Sequence, residues 1–285
     1  MDTTNTPSPP AEKPKRGRGR PRVEAERTPL YILQGSQEEQ LTEVYQNWHT
    51  CTRCFLGEHR KASGLPDDIV FGDGNPSADI LIVGEAPGAE EEKDYIPFIG
   101  AAGKLLDQVI ACTADDPGIQ ELFEWYSKTP HTKANDKKFH DAVLEYRRKN
   151  FFVTNAVVCR PPDNRTPVKA EVDACWERLW NTIYTVDPVM IIAAGGTALS
   201  AVMRKVSVSV LDKQGQIQEV YYDGRVGKVC YPVMPILHPS YLLRVADWKN
   251  KDGAFSKTVK HFRAAMEAVD FYRLEHFGTP LPVRR

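Results

Sequence analysis

The chain lacks several things at once, and each absence narrows what it does. No apolar run approaches the roughly 20 residues needed to cross a bilayer, and no apolar signal-peptide core follows Met1. Neither a membrane span nor secretion is therefore expected, and the cytoplasm, nucleoid-associated, is the expected compartment. The chain also lacks an excess of either charge. A net charge of −1 over 285 residues gives no whole-molecule pull toward a polyanion, although both ends are locally basic. A disulfide framework is disfavoured in such a compartment, so six cysteines argue first for metal or redox chemistry. What remains is ordinary for a folded chain: 41% hydrophobic and 26% charged residues.

Large apolar side chains are almost missing from residues 1–28, which are rich in Pro, Thr, Lys and Arg. Such a composition cannot bury enough surface to offset chain entropy, and a disordered tail is expected there. Within it, Arg18-Gly19-Arg20-Pro21, followed by Arg22, resembles an AT-hook. In that motif an extended backbone lies in the narrow minor groove of A·T-rich DNA, with arginines drawn to its negative potential. The plainer reading is a basic tail that only raises phosphate affinity. The expected organisation is this tail and one folded domain over 29–285.

The folded part reads as alternating strands and helices. A helical pattern over 29–48 places Leu41, Val44, Tyr45 and Trp48 on one face. Buried strands are expected at Ile80–Val83, at 151–158 ending near Asn155, at Val189–Ala194 and at Tyr231–Leu237. Helices are expected at Ala101–Ala111, Lys169–Thr185, Thr197–Lys205 and Phe255–Leu274. Residues 206–229 read as a polar hairpin, and 113–149 as one or two helices inserted at the surface. The fold expected is a three-layer α/β/α sandwich around a central, mainly parallel, four-stranded sheet. Ligand sites in open α/β sheets lie just past the carboxyl ends of the strands. Three of the four expected strands end on Glu85, Asn155 and His238. The first runs into Gly84-Glu85-Ala86-Pro87-Gly88, which has no P-loop lysine and leads into Glu90–Glu92, a poor phosphate cradle.

Cys51 and Cys54 form a C-x-x-C pair, Cys159 follows the second strand, and Cys175 lies sixteen positions on. Four thiolates suit tetrahedral zinc or a [4Fe–4S] cluster, and ligand softness does not decide between them. Cys112 and Cys230 sit in apolar contexts and read as small buried hydrophobes.

GEAPGAEEE, PFIGAAGKLLD, TNAVVCRPPDNRTP and HPSYLLR follow one another in this order, together with the four cysteines. Over roughly residues 45–270 the combination resembles the uracil-DNA glycosylase superfamily, in its family 4 branch. The resemblance implies a [4Fe–4S] cluster of structural role on Cys51, Cys54, Cys159 and Cys175. It implies a DNA partner, single- or double-stranded and carrying uracil, and an enzyme acting as a monomer that excises the base by hydrolysis. Phe98 would stack on the flipped uracil, Asn155 would read its edge, and His238 would hydrogen-bond O2. The backbone near Glu85 and Ala86 would assist. Leu242 or Leu243 would wedge into the vacated stack, with Ser240, Arg244 and the Pro161–Pro167 loop on the flanking phosphates. Glu85 or Glu91 would steer the water, since Ala86 stands where the best-studied members carry Asp. Gly88 leaves room beside the base, and Glu91 resembles the residue that fills it. The chain departs from the family pattern at Glu92 and Tyr95, which stand where a Glu-Asp pair and then a glycine are usual. A glycosylase for another deaminated or modified base, or a non-cleaving DNA-binding protein of this fold, is the alternative.

Overall fold

The computed structural model describes residues 35–64, 68–204, 208–224, 227–245 and 250–277. The tail with Arg18, Arg20 and Arg22, and the start of the 29–48 pattern, lie outside the described residues. The described residues form one compact unit.

The centre of that unit is a run of short strands buried from end to end. They are β2 (Ile80–Gly84), β3 (Phe151–Asn155) and β4 (Met190–Ala194), joined by the longer β6 (Gly227–Ile236). All four pair in parallel in the order β3-β2-β4-β6. Continuous rather than alternating apolar sequence is what a strand needs when helices cover both faces. The sheet is larger than the four strands expected: it has six. The two-residue β1 (Asp73–Gly74) adds to β3, and β5 (Gln218–Gly224) adds to β6, both antiparallel. These two run polar, so apolar patterning does not betray them. β5 and β6 are the arms of the expected hairpin, but its second arm is the fourth parallel strand itself.

Helices α1 (Gln37–Trp48), α2 (Phe55–Ala62), α3 (Ala89–Asp94) and α4 (Ala101–Thr113) lead, with α5 (Pro117–Lys128) and α6 (Lys133–Asn150), into β3. Then α7 (Lys169–Val186), α8 (Gly196–Met203), the short α9 (Val210–Lys213), α10 (Pro239–Val245) and α11 (Ala254–Phe277) complete the chain. One face of the sheet, with Ile80, Ile82, Val153 and Ile192, packs on Leu106 and Ile110 of α4, Phe139 and Val143 of α6, and Phe262 of α11. On the other side α8 packs on β2 and β4, with α7 against α8 and α1 against α7.

The 113–149 stretch does form two helices, but they are no surface appendage. Phe139 and Val143 are completely buried, and the ring of Tyr126 stacks on Phe139 at 4.0 Å. Because β3 lies on one side of β2 and β4 on the other, the chain leaves β2 and β3 in opposite directions. A crevice opens at their carboxyl ends.

Candidate active site

Three strand ends carry polar or catalytically apt residues to this crevice. Beyond β2 come Glu85, Ala86, Pro87 and Gly88; the last residue of β3 is Asn155; two residues after β6 comes His238. With Phe98, Arg165 and Arg244 they bound a cleft of about 380 Å³. The register pairs Gly84 with Asn155. A Cβ on Gly84 would overlap both the Asn155 Oδ1 atom and the Phe98 ring, so glycine at that point is what lets amide and ring lie side by side.

Phe98 adopts φ +57, a left-handed conformation that costs a non-glycine residue about 1–2 kcal/mol. It is held there by contacts on every side: Gly103 of α4 offers no Cβ to block its backbone, and its ring lies 6.1 Å from that of His238. Asn155 is nearly fully buried. Its backbone is fixed by Arg178, which is itself completely buried; Arg178 donates to the Thr154 hydroxyl at 2.9 Å, to the Ala156 carbonyl at 3.1 Å and to the Asn155 carbonyl. The amide side chain is left facing the cleft.

His238 is the most informative group. The backbone N–H of Ser240 donates to its Nδ1 at 3.2 Å, and the Ser240 hydroxyl lies 2.6 Å from the same atom. A ring nitrogen that accepts from a backbone N–H carries no proton, so the neutral ring bears its proton on Nε2. Burial, with the Arg244 charge adding, pushes the His238 pKa down to about 4. At neutral pH the cleft therefore contains an uncharged imidazole that acts as a donor through Nε2–H.

The acids take different positions. Glu91 is buried and accepts from the backbone N–H groups of Gly88 (3.1 Å), Ile99 (3.1 Å) and Gly100 (2.8 Å). Its carboxylate ties the turn after β2 to the Phe98 loop. Glu85 accepts from the Thr197 hydroxyl at 2.6 Å, which leaves its other oxygen toward the cleft. Glu92 pairs with Arg160 at 3.1 Å, joining α3 to the Pro161–Pro167 loop. Tyr95 does not line the cleft; its phenol is raised by burial and by Asp68.

Residues 71–269 match the uracil DNA glycosylase superfamily. The chain belongs to that superfamily. It is 34% identical over 209 residues to a type-4 uracil-DNA glycosylase of Thermotoga maritima, covering 73% of this chain and 86% of that protein. To the type-4 uracil-DNA glycosylase of Pyrobaculum aerophilum it is 32% identical over 206 residues, 72% of this chain and 84% of the other. A third, from Saccharolobus solfataricus, is 30% identical over 193 residues, 68% and 72% of the two chains.

In this superfamily member, two of the residues expected at the DNA face have other occupations. Leu242 is buried against Leu105 and Leu237, because it lies on the inner face of α10. Its neighbour Leu243 is 41% exposed and is the leucine available at the surface. Both the N–H and the hydroxyl of Ser240 are spent on His238, while Arg244 stands exposed at the cleft.

Behind the turn after β2 the four cysteines expected as ligands converge. Cys51, Cys54, Cys159 and Cys175 pack in one cluster with Val44, Trp48, Leu56, Val157 and Val158, and Ala86 packs against the same cluster. Burial raises the Cys51 and Cys54 thiols and pushes Cys159 up to about 12, and Cys175 acts on all three. Backbone N–H groups of Arg53, Leu56 and Gly57 point at the Cys51 and Cys54 sulfurs. Four thiols drawn together in an apolar corner, with N–H donors on the sulfurs, suit a group that replaces their protons with metal. Among the described residues no set of three or more metal-binding side chains has closed to ligating distance. Cys112 and Cys230 are only half-buried and are not members of this cluster.

Sequence reading missed Arg178, Thr197 and Arg147. Arg147 on α6 is buried and bonds the carbonyls of Pro97 (3.0 Å) and Phe98 (2.9 Å) and the Asp107 carboxylate (3.1 Å). Nothing in Tyr146-Arg147-Arg148-Lys149 separates the buried arginine from the exposed one beside it. A sign was available for Thr197, which follows the Gly195-Gly196 pair at the end of β4.

Proposed function

We infer that the protein is a DNA glycosylase that excises uracil from DNA by hydrolysis, as base-excision repair requires, leaving an abasic site. The observation that carries this is the neutral His238, held with its proton on Nε2 beside the Asn155 amide and the Phe98 ring. The base leaves the duplex, and the loss of stacking is offset by contacts in the cleft. Phe98 supplies the replacement stacking surface. Asn155 accepts from uracil N3–H and donates to O4. Cytosine offers the reverse pattern at that edge and leaves the buried amide unpaired.

As the C1′–N1 bond breaks, its electron pair passes to the base, and charge collects on O2. A hydrogen bond from His238 Nε2–H stabilises that charge without proton transfer. Water then adds to the oxocarbenium-like C1′, and the proton it loses passes through solvent to the uracil anion, giving neutral uracil and a 1′-hydroxyl abasic sugar. Glu85, with one oxygen fixed by Thr197, supports that water, whereas the buried Glu91 acts by holding the turn and the Phe98 loop together. Leu243, rather than Leu242, fills the vacated stack. Arg244 and the Pro161–Pro167 loop, with Arg165, meet the flanking phosphates.

Cys51, Cys54, Cys159 and Cys175 would hold a [4Fe–4S] cluster. Bound there, it supplies a cross-link that fixes α2, the segment after β3 and α7 in one corner. Arg18, Arg20 and Arg22 tether the enzyme to A·T-rich DNA in the nucleoid, and the protein acts as a monomer. Among the described residues no helix is long and apolar enough to cross a membrane.

The test is release of free base from oligonucleotides carrying U, T, hypoxanthine or xanthine, single- and double-stranded. Uracil release is expected. Release of another base with uracil untouched favours the alternative substrate, and binding with no release favours the non-cleaving reading.

A further inference from the structure

We propose that Arg147, together with Asp107 and His140, is a positioning device for Phe98, and that the α5–α6 pair exists in part to deliver it. The inference rests on the proposed function, since Phe98 is taken as the surface on which the base stacks.

The geometry is unusually one-directed for an ion pair. A guanidinium buried inside a protein needs its donors satisfied. Arg147, only 1% exposed, does not spend them on its own helix. Nη1 donates to the Phe98 carbonyl and to Asp107 Oδ1, and Nη2 donates to the Pro97 carbonyl. Both carbonyls belong to the two residues that set the ring's direction. Asp107, on α4, is buried as well, and its second oxygen lies 3.0 Å from His140 Nδ1 on α6. His140 lies about two helical turns before Arg147, so the same helix face supplies both partners of the carboxylate. Tyr126 of α5 packs edge-on to the His140 ring, and Lys104 of α4 with Lys133, Asp136, Lys137 and Asp141 of α6 line the same pocket as Asp107 and His140. On the cleft side Glu91 holds the next two backbone N–H groups, of Ile99 and Gly100.

The loop is thus gripped by its carbonyls from one side and by its N–H groups from the other. A left-handed phenylalanine at φ +57 persists only where its surroundings over-determine it. A planar fork that spans two successive carbonyls does this, and a lysine, with a single compact ammonium, does not. Arg147 touches neither base nor sugar. It acts through Phe98 and is a positioning residue.

A double-mutant cycle separates positioning from mere stability. Single-turnover uracil release is measured for wild type, Arg147→Ala, Phe98→Ala and the double variant, with oligonucleotide affinity and Tm recorded for each. Misplacement of a group by about 1 Å can cost up to the order of 10²-fold in rate, and for Arg147→Ala a loss of at least about 10-fold, and no larger than that of Phe98→Ala, is expected. In the Phe98→Ala background the same change should cost less than about 3-fold, because there is no ring left to misplace. Arg147→Lys should retain the fold and most of the affinity while losing roughly 10-fold in the chemical step. Should Arg147→Ala fail to fold, the cycle is run with Arg147→Lys. Additive losses, or a rate loss that tracks Tm alone, would overturn the proposal while leaving uracil excision intact. A wild-type protein that releases no uracil would instead overturn the reading on which it rests.

Discussion

The cleft at the strand ends and the helical pair α5–α6 treat polar groups in opposite ways. In the cleft, Asn155 and His238 have their backbones or one side of their rings fixed, and each turns a free donor or acceptor outward. At the helical pair, the Arg147 terminal nitrogens, the Asp107 carboxylate of α4 and His140 Nδ1 are spent on one another or on a neighbouring backbone, and of their buried side-chain atoms only the Arg147 Nε is left without a partner. An unpaired polar group is costly when dry and useful when a ligand completes it. A paired one holds position. Open groups are thus placed to meet a ligand, and closed ones to set the geometry around them.

The largest losses are expected in the cleft. His238→Ala should lower single-turnover uracil release by about 10²–10³-fold, the usual cost of one donor aimed at developing charge. Asn155→Ala should fall in the same range, with CD spectrum and Tm near wild type. Full activity in either variant would mean that the open groups are not the working ones. Phe98→Ala comes next, at roughly 5–150-fold, from about 1–3 kcal/mol of stacking per base. A loss confined to affinity would make the ring a docking surface only.

The two regions also differ in how legible they were. The four parallel strands, most helices and the polar residues at three strand ends could be read because buried strands leave continuous apolar runs and their ends collect function. β1 escaped because a two-residue edge strand needs no such run, and β5, read as a hairpin arm, was not seen to join the sheet, because its polar sequence carries no buried-strand signal. Arg147 escaped because burial of a charge is decided by tertiary packing: Arg148, beside it, is exposed and pairs with Asp73. Leu242 and Leu243 are adjacent in HPSYLLR, and only the orientation of α10 assigns one to the core and the other to the surface. Arg178 escaped for the same reason as Arg147.

The cysteine corner extends the contrast, since it is closed like the helical pair but packs against Ala86 of the open turn. With the proposed cluster on these four cysteines, the purified protein should show a brown thiolate-to-iron charge-transfer absorbance, and Cys159→Ser should abolish it and lower the Tm. A normal spectrum in that variant would mean a different ligand set. Smaller still is the expected effect of removing residues 1–26. Catalysis once bound should stay unchanged, while the slope of log affinity against log salt should become shallower by about 0.9 for each phosphate that the tail had neutralised. An unchanged slope would remove the tethering role.

The smallest expected change is no change at all. His238 has a folded-state pKa below its usual value, so the neutral form is favoured by folding. Its contribution to stability is complete above about pH 6.5 and is lost progressively as the pH falls toward about 4. Single-turnover release should therefore run level through pH 6.5, where an ordinary histidine would titrate.

The neutral donor at the base of the cleft is the centre of the account, and nitrogen-15 NMR of the His238 ring reads it directly. At pH 6–7 the ring should be uncharged, with the proton on Nε2 and a bare Nδ1, and should titrate only near pH 4. A proton on Nδ1, or a midpoint near 6.5, would contradict it.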